Sequence, residues 1–191
     1  MKLKNLKIAL ATSLLGGFWL SFASAQENLI RDGNFDGEGP FKAAHAVWEI
    51  AYREPDLGIV TFETDEAPEG AGFLRLAPLN SAPPKYLAVQ HKLDPPPLAG
   101  RYKLKAWMRI SSEYAARMPI VSVGWQNPGA SGETGSAHIS LDQGAQPDEW
   151  TLCETEFEIP KNAEGTYVFL FTYGSMGHAD FDGIALERIG E

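Results

Sequence analysis

The sequence predicts an all-β fold of the antiparallel sandwich or jelly-roll class. Apolar and polar residues alternate with a period of two along most of the chain, whereas amphipathic helix patterns barely appear. Clusters of Gly, Pro, Asn and Asp separate these runs, as in GEGP, EAPEGAG, NPGASGETG and QPDE. Eight or so short strands with turns between them are typical of two packed antiparallel sheets.

Residues 1–25 are predicted to be a cleavable signal peptide. Three lysines form its basic start, an apolar run covers residues 8–22, and Ala23-Ser24-Ala25 supplies the small residues of a cleavage site. This apolar run is shorter than the roughly 20 residues that cross a bilayer; an uncleaved membrane anchor is the alternative. We expect residues 26–191 to form one domain that is secreted or periplasmic and free of the membrane.

The strands of the first half are justified by their alternation. AVWEIAY, IVTFET and GFLRLAP are short candidates. In KYLAVQHKL the predicted inward residues are Leu87, Val89, His91 and Leu93. LDPPPLAGRY reads as a stiff connection, because proline cannot join a sheet ladder. In RYKLKAWMRI the predicted inward residues are Tyr102, Leu104, Ala106, Met108 and Ile110.

The second half continues the pattern after SSEYAAR, the only predicted helical turn (residues 111–117). In PIVSVGWQN the predicted inward residues are Val121, Val123 and Trp125. In WTLCETEFEIP they include Phe157 and Ile159. TYVFLFTYG is apolar at every position, which predicts a central strand covered on both faces. HADFDGIALERI is the predicted closing strand.

Charge and cysteine content exclude several function classes. The formal net charge is −9, and the leader holds three of the lysines, so the predicted mature chain is more acidic still. Such a surface repels phosphate backbones and anionic lipid, and we expect no nucleic-acid partner. Cys153 is the only cysteine and has inward parity, so we expect a buried hydrophobe and no internal disulfide. The chain contains no HExxH or GxSxG motif, and we expect no catalytic residues; a glycan-active hydrolase, which would need two carboxylates facing one cleft, is the alternative.

Four blocks carry a family likeness: NLIRDGNFDGE at the start, AGRYKLKAWMR, WTLCETEFEIP, and DFDGIALERI at the end, with Trp48 at the family's spacing after the first block. Together they resemble the carbohydrate-binding modules of families 4, 9 and 22, which share the galactose-binding-like jelly roll. The chain departs from the family pattern at Asp36, where glutamate is usual, and at Gly183, which replaces the second aspartate of the closing strand. The resemblance implies a binding module rather than an enzyme.

Strand parity places a candidate sugar surface on the faces opposite the inferred core. Aromatic rings stack on pyranose rings, and planar polar groups bond to the hydroxyls. The predicted ligand-binding residues are Tyr86, Gln90, Trp107, Arg109, Gln126 and Asn127. They come from three strands that could be neighbours in one sheet, and Tyr173 could border the groove. In the resembled families the groove lies on the concave sheet face.

Each of these residues also has a structural interpretation. Trp107 could be covered by the loop around residues 37–48, and Gln90 could pair with Gln126 as ordinary cross-strand amides. Arg109 could form a surface salt bridge with an acidic neighbour.

Two carboxylates are candidate metal ligands. Asp36 and Asp182 occupy positions where the resembled families often hold a structural calcium, which takes six to eight oxygen ligands. Asp182 alternates with Ile184 and Leu186, so its side chain is predicted to point inward, where it needs a cation or several donors. The alternative is a carboxylate satisfied by loop N–H groups without a metal.

The sequence therefore predicts an exported, non-catalytic module that binds a polysaccharide or oligosaccharide on an open sheet face. The alternative is a structural or adhesive exported sandwich that contacts protein partners.

Overall fold

The computed structural model describes residues 27–36, 47–51, 58–79, 85–127 and 134–190. The predicted signal peptide lies outside these residues. Within the described ranges no helix is long and apolar enough to cross a membrane.

The described residues form ten β-strands and no helix, which confirms the predicted all-β class. The strands are β1 (Trp48–Ile50), β2 (Gly58–Glu63), β3 (Phe73–Pro78), β4 (Lys85–Lys92), β5 (Gly100–Ile110), β6 (Ala115–Gln126), β7 (Thr134–Ser140), β8 (Thr151–Ile159), β9 (Glu164–Met176) and β10 (Ala179–Gly190). Sheet I has the order β2-β3-β10-β5-β8, and sheet II has the order β1-β4-β9-β6-β7. Each ladder within a sheet is antiparallel.

The chain crosses between the two sheets repeatedly. It runs from β4 in sheet II to β5 in sheet I, returns for β6 and β7, and then visits β8, β9 and β10 in alternate sheets. Strands that are neighbours in sequence are therefore often in different layers, as in other Greek-key sandwiches. This connectivity decides which of the predicted site residues share a surface.

The core lies between the sheets and contains the inward residues that alternation predicts. The inward sets predicted for β4 and β5 are buried, as are Val121, Val123 and Trp125 of β6. Trp48 is fully buried: its indole N–H donates to the Asp32 carbonyl oxygen at 3.1 Å, and its ring lies against Phe35 and His91. Burial of these side chains from both layers stabilises the sandwich.

One local prediction is wrong, and one strand was not predicted. The segment predicted as a helical turn is a tight turn closed by the Tyr114 amide, which donates to the Ser111 carbonyl oxygen at 3.0 Å, and β6 begins directly afterwards. Strand β7 was not predicted, because its sequence TGSAHIS contributes only Ile139 to the buried core and pairs with β6 as a sheet edge.

The first described segment, residues 27–36, meets the closing strand β10. The Ile184 amide donates to the Gly33 carbonyl oxygen at 3.0 Å, and Asn28 bridges to Glu187. A Cβ added to Gly33 would lie 2.0 Å from the Ile184 carbonyl oxygen, so only glycine permits this approach. The first segment is thereby fixed against β10.

Candidate functional site

The outer surface of sheet II carries a row of aromatic rings on its central strand. Strand β9 turns Val168 and Leu170 into the core, while its alternate residues point outward and are half-buried. These outward residues are Tyr167, Phe169, Phe171 and Tyr173. At about 3.3 Å per residue, the row extends for roughly 20 Å along the strand. We call this surface of β4, β9 and β6 the aromatic face.

Tyr86 extends the aromatic face from β9 onto β4. It lies directly opposite Tyr173 in the ladder, and the two ring centroids are 4.5 Å apart. Its ring is also 6.2 Å from that of Phe171. Tyr86 remains 50% exposed, so one end of the row presents an aromatic surface to solvent.

Polar groups flank the middle of the row. Gln90 lies opposite Phe169, and its amide nitrogen donates to the Glu49 carboxylate at 3.5 Å. On the other side of Phe169 lies Ser122, whose hydroxyl donates to the Ala137 carbonyl oxygen at 3.2 Å. Gln90 and Gln126 do not pair, because β9 lies between their strands.

The far end of the row is open above Gly124. Among the described residues, a Cβ added to Gly124 would meet only the Phe169 ring, at 3.8 Å. Gln126 is exposed at the end of β6, opposite Glu164. Asn127 follows β6 and is half-buried, and its Oδ1 atom has no hydrogen-bond partner among the described residues. A groove across the aromatic face would pass over Gly124.

The prediction that the strands of the five outward candidate residues are neighbours in one sheet is wrong. Tyr86, Gln90 and Gln126 lie on sheet II, whereas Trp107 and Arg109 lie on β5 in sheet I. The alternation correctly showed that all five point away from the core, but the chain changes layer on entering and leaving β5. The outward faces of the two sheets are opposite surfaces of the molecule.

Trp107 is held by the loop that covers sheet I. Its indole N–H donates to Glu69 at 3.0 Å, and Gly183 lies against its ring, where an added Cβ would be 2.8 Å from Cδ1. The half-buried indole therefore has a structural partner. The contacting loop is the one between β2 and β3.

Arg109 belongs to a buried ion-pair cluster. Its Nη2 lies 2.9 Å from Asp180, which is fully buried, and Arg75 pairs with the same carboxylate at 2.8 Å. The guanidinium carbon of Arg109 lies 4.5 Å from the Trp150 ring centroid and 5.2 Å from that of Phe73. The hydrogen bond to Asp180 raises the pKa of Arg75 above its usual value. These contacts occupy the groups of Arg109 that a ligand would need.

Asp182 is buried on the outer side of sheet I, not toward the core as predicted. It pairs with Trp107 in the ladder, and a β-bulge at Gly183, whose φ is 56°, shifts Ile184 back to the core face. Its two carboxylate oxygens accept the amides of Glu69 at 2.8 Å and Gly183 at 2.7 Å. Burial raises the pKa of Asp182 to about 6, and the charges of Glu69 and Asp36 add to this effect.

Asp36 lies close enough to Asp182 for their charges to interact, and its Oδ1 accepts the amide of Ala71. Both predicted ligands thus face the same loop, which supplies the N–H donors of the metal-free alternative. Across the described ranges, no three His, Cys, Asp or Glu side chains are placed to hold one metal ion. A calcium ion here would need backbone carbonyl oxygens in addition to the carboxylates.

Cys153 and His91 are structural. Cys153 is half-buried, and burial raises the pKa of its thiol. His91 is buried against Trp48 and accepts the Arg31 amide through Nε2 at 3.3 Å, and burial lowers its pKa. The raised pKa of Cys153 keeps its thiol protonated and therefore less nucleophilic.

Comparison with solved structures supports the fold. The chain is similar to a domain of bacteriophage CBA120 tailspike protein 4, with a TM-score of 0.63 and 11% identity over 85% of this chain, but it spans only 21% of that chain. It is similar to the CBM22-1 xylan-binding domain of Paenibacillus barcinonensis Xyn10C, with a TM-score of 0.60 and 10% identity over 88% of this chain and 99% of that domain. It is also similar to the module TmCBM61, solved with β-1,4-galactotriose, with a TM-score of 0.55 and 14% identity over 85% of this chain and 99% of that one.

No protein-family model and no curated protein matches the sequence. The structural neighbours therefore show that this chain has the sandwich fold of carbohydrate-binding modules, which confirms the fold implied by the resemblance. Function depends on the site rather than on the sandwich.

Proposed function

We propose that the protein is an exported, non-catalytic carbohydrate-binding module whose aromatic face holds a polysaccharide or oligosaccharide. Structural neighbours that are themselves xylan- and galactotriose-binding modules support the class of ligand. The leader peptide predicted from residues 1–25 supports a secreted or periplasmic location.

One observation carries the proposal: an outward row of aromatic side chains on a central strand, with polar groups beside it. Outward positions of a solvated sheet are more often polar, because aromatic rings exposed to water lose the free energy of burial. Rings with an apolar surface and nearby amides and hydroxyls match a pyranose, which has apolar faces and a polar rim. The proposed ligand residues are therefore those of the aromatic face, including Tyr86, Gln90 and Gln126.

Affinity electrophoresis in gels that contain soluble glucan, xylan, mannan or galactan tests the proposal. We expect at least one glycan, neutral or acidic, to retard the protein, and calorimetry with oligosaccharides of that glycan to give saturable binding. Absence of retardation and of heat across neutral and acidic glycans would refute the proposal.

Calcium at Asp36 and Asp182 is part of the proposal. The charges of Glu69 and Asp36 add to the burial that raises the pKa of Asp182, and a divalent cation held by Asp36 and Asp182 would offset this repulsion and stabilise the contact between the first segment and β10. Calcium added at 100 times its Kd stabilises the folded state by about 2.7 kcal/mol. A melting temperature that calcium leaves unchanged, in chelator-treated protein, would refute the site.

The second candidate, contact with protein partners, is favoured by the centre of the aromatic face. There Phe171 lies between Ile120 and Ala88, and none of these three side chains has a polar group. A protein-binding face of this kind would bury the rings in an apolar interface. Sedimentation that shows concentration-dependent association, abolished by Phe171→Ser and unaffected by glycans, would favour this candidate.

A further inference from the structure

Charged groups are distributed unequally between the two sheets. The Lys and Arg ion pairs found among the described residues lie on sheet I or on the loop that covers it: Arg75–Asp180, Arg101–Glu156, Lys103–Glu154, Lys105–Glu187, Arg109–Glu66 and Arg109–Asp180. Arg75, Arg101, Lys103, Lys105 and Arg109 are therefore neutralised within the protein.

Two basic side chains on the aromatic face have no acidic partner among the described residues. Lys92 and Arg117 are exposed, and neither forms an ion pair with any residue that the structure describes. Lys92 lies opposite Tyr167 at one end of the row, and Arg117 lies opposite Tyr173 at the other. In a protein with a formal net charge of −9, these unpaired cations at both ends of the row are notable.

Acidic groups on the same face do not neutralise them. Glu49 is beside the middle of the row and accepts a hydrogen bond from Gln90. Glu164 lies beyond Tyr167, opposite Gln126. Neither carboxylate forms an ion pair with Lys92 or Arg117.

The end that contains Arg117 has the geometry of a combined ring and anion site. Tyr86, Tyr173 and Arg117 occupy consecutive strands in register, so they form one line across the sheet. The guanidinium carbon of Arg117 lies 5.7 Å from the Tyr173 ring centroid. Adjacent strands are about 4.8 Å apart, so a pyranose stacked on Tyr86 and Tyr173 has its substituents within reach of the guanidinium.

The backbone at Arg117 is fixed by a buried hydroxyl. The Tyr114 hydroxyl donates to the Arg117 carbonyl oxygen at 2.9 Å and also contacts the hydroxyl of Thr172 on β9. Burial raises the pKa of Tyr114 to about 12, so it stays protonated as a donor. The irregular pairing between Arg117 and Ile120 is thus held in one conformation.

We propose that the glycan recognised by the aromatic face is acidic, with a carboxylate or sulfate group that binds Arg117 and a second one near Lys92. This inference rests on the proposed function and specifies its ligand class. The planar guanidinium of arginine can donate two parallel N–H hydrogen bonds to two oxygens of a carboxylate or a sulfate. This pairing gives both affinity and orientation.

The net negative charge of the protein does not prevent this. Carboxylates of sheet I such as Asp180, Glu154 and Glu156 are paired with basic side chains of the same sheet, whereas Arg117 and Lys92 would contact a ligand on sheet II directly.

A matched pair of polymers tests the inference. Galacturonan, glucuronan and mannuronan are each compared with their carboxyl-reduced neutral forms, and a sulfated glycan forms a third arm. We expect at least one acidic polymer to bind at least tenfold more tightly than its neutral form and its binding to weaken with added salt. The arm that binds best, uronate or sulfate, identifies the acidic group.

Two arginine variants test whether Arg117 is the residue that binds the acidic group. Arg117→Gln is expected to weaken acidic-polymer binding about tenfold, the value of one charge-assisted hydrogen bond, and to leave binding of the neutral form within about twofold. Arg101→Gln, which removes an exposed arginine from sheet I, is the control and is expected to change neither. Unchanged melting temperatures confirm that both variants fold.

The outcomes separate the two proposals. Equal or tighter binding of the neutral polymer would overturn the acidic-ligand inference and leave the proposed function intact. No binding of any polymer, neutral or acidic, would overturn the proposed function and this inference with it. Loss of acidic binding in Arg101→Gln but not in Arg117→Gln would also overturn the inference.

Discussion

Replacement of Tyr86 by alanine is expected to weaken glycan binding with little loss of stability. Tyr86 is 50% exposed and stacks on Tyr173 at the end of the aromatic face. A tyrosine buries about 200 Å² when fully covered, so about 100 Å² is available to a ligand. A sugar that covers one face of the ring removes about half of this area, which at about 25 cal/mol per Å² is worth roughly 1.2 kcal/mol.

The expected change in Kd for Tyr86→Ala is therefore roughly eightfold, measured by calorimetry with the glycan that retards the protein most. The loss of the Tyr86–Tyr173 ring contact is expected to lower the free energy of unfolding by only about 0.5–1.5 kcal/mol. Urea unfolding of the same preparation measures that change.

Trp107→Ala is the matched control, because it removes a half-buried aromatic ring from sheet I. It is expected to leave Kd unchanged but to lower the free energy of unfolding by about 2 kcal/mol, since the indole packs on Gly183 and donates to Glu69. If Trp107→Ala weakens binding and Tyr86→Ala does not, the assignment of the site to sheet II is refuted.

Three further predictions concern the rest of the fold. Asp180→Asn is expected to lower the free energy of unfolding by about 3 kcal/mol, because it leaves two arginines with a weaker buried partner. Urea unfolding measures this change. Glu156→Gln, in the exposed pair with Arg101, is the control and should leave the free energy of unfolding unchanged. In calcium-free buffer, Asp182 is expected to make the protein more stable as pH falls from above 6 towards 3.8, because the folded state, with a pKa of about 6, binds the proton more tightly than the unfolded one. Unfolding at pH 5 and pH 7.5 tests this, and an equal pH dependence in Asp182→Asn would contradict it. Cys153 is expected to react slowly with a thiol reagent until urea unfolds the protein, because burial raises its pKa; fast labelling of the native protein would show that the thiol is accessible.

Much of the fold could be predicted from sequence because alternation reports burial directly. Residues such as Leu104 and Met108 of β5 are inward in the sequence pattern and fully buried in the structure. Strand β7 was missed although its sequence alternates, because two of its less exposed residues, Gly135 and Ala137, are too small to give a hydrophobic signal and only Ile139 is a large buried side chain.

The candidate site was predicted only in part because alternation defines a face but not a sheet. It placed Tyr86 and Trp107 both outward, yet the chain crosses to sheet I between them. Face assignment also fails at a β-bulge: Gly183 adds one residue to the period, so Asp182 and Ile184 are on opposite faces.

The outward position of the aromatic residues of β9 could have been predicted from their parity in the sequence. In TYVFLFTYG the aliphatic residues Val168 and Leu170 have one parity, and the aromatic residues have the other. The prediction of a central strand is confirmed, since β9 is the third of five strands in sheet II, and its aromatic face is half-buried where its aliphatic face is buried. Here the segregation of aliphatic and aromatic residues by parity separates the face toward the core from the face toward the outer surface.

A titration of ¹⁵N-labelled protein with its glycan, followed by NMR, tests the central claim most directly. If the aromatic face is the binding surface, amide shifts will change along β4, β9 and β6, with the largest changes near Tyr86 and Tyr173. The amides of β5 around Trp107 and Arg109 will keep their positions. Shift changes that centre on β5, with those of β9 unaffected, would contradict the account.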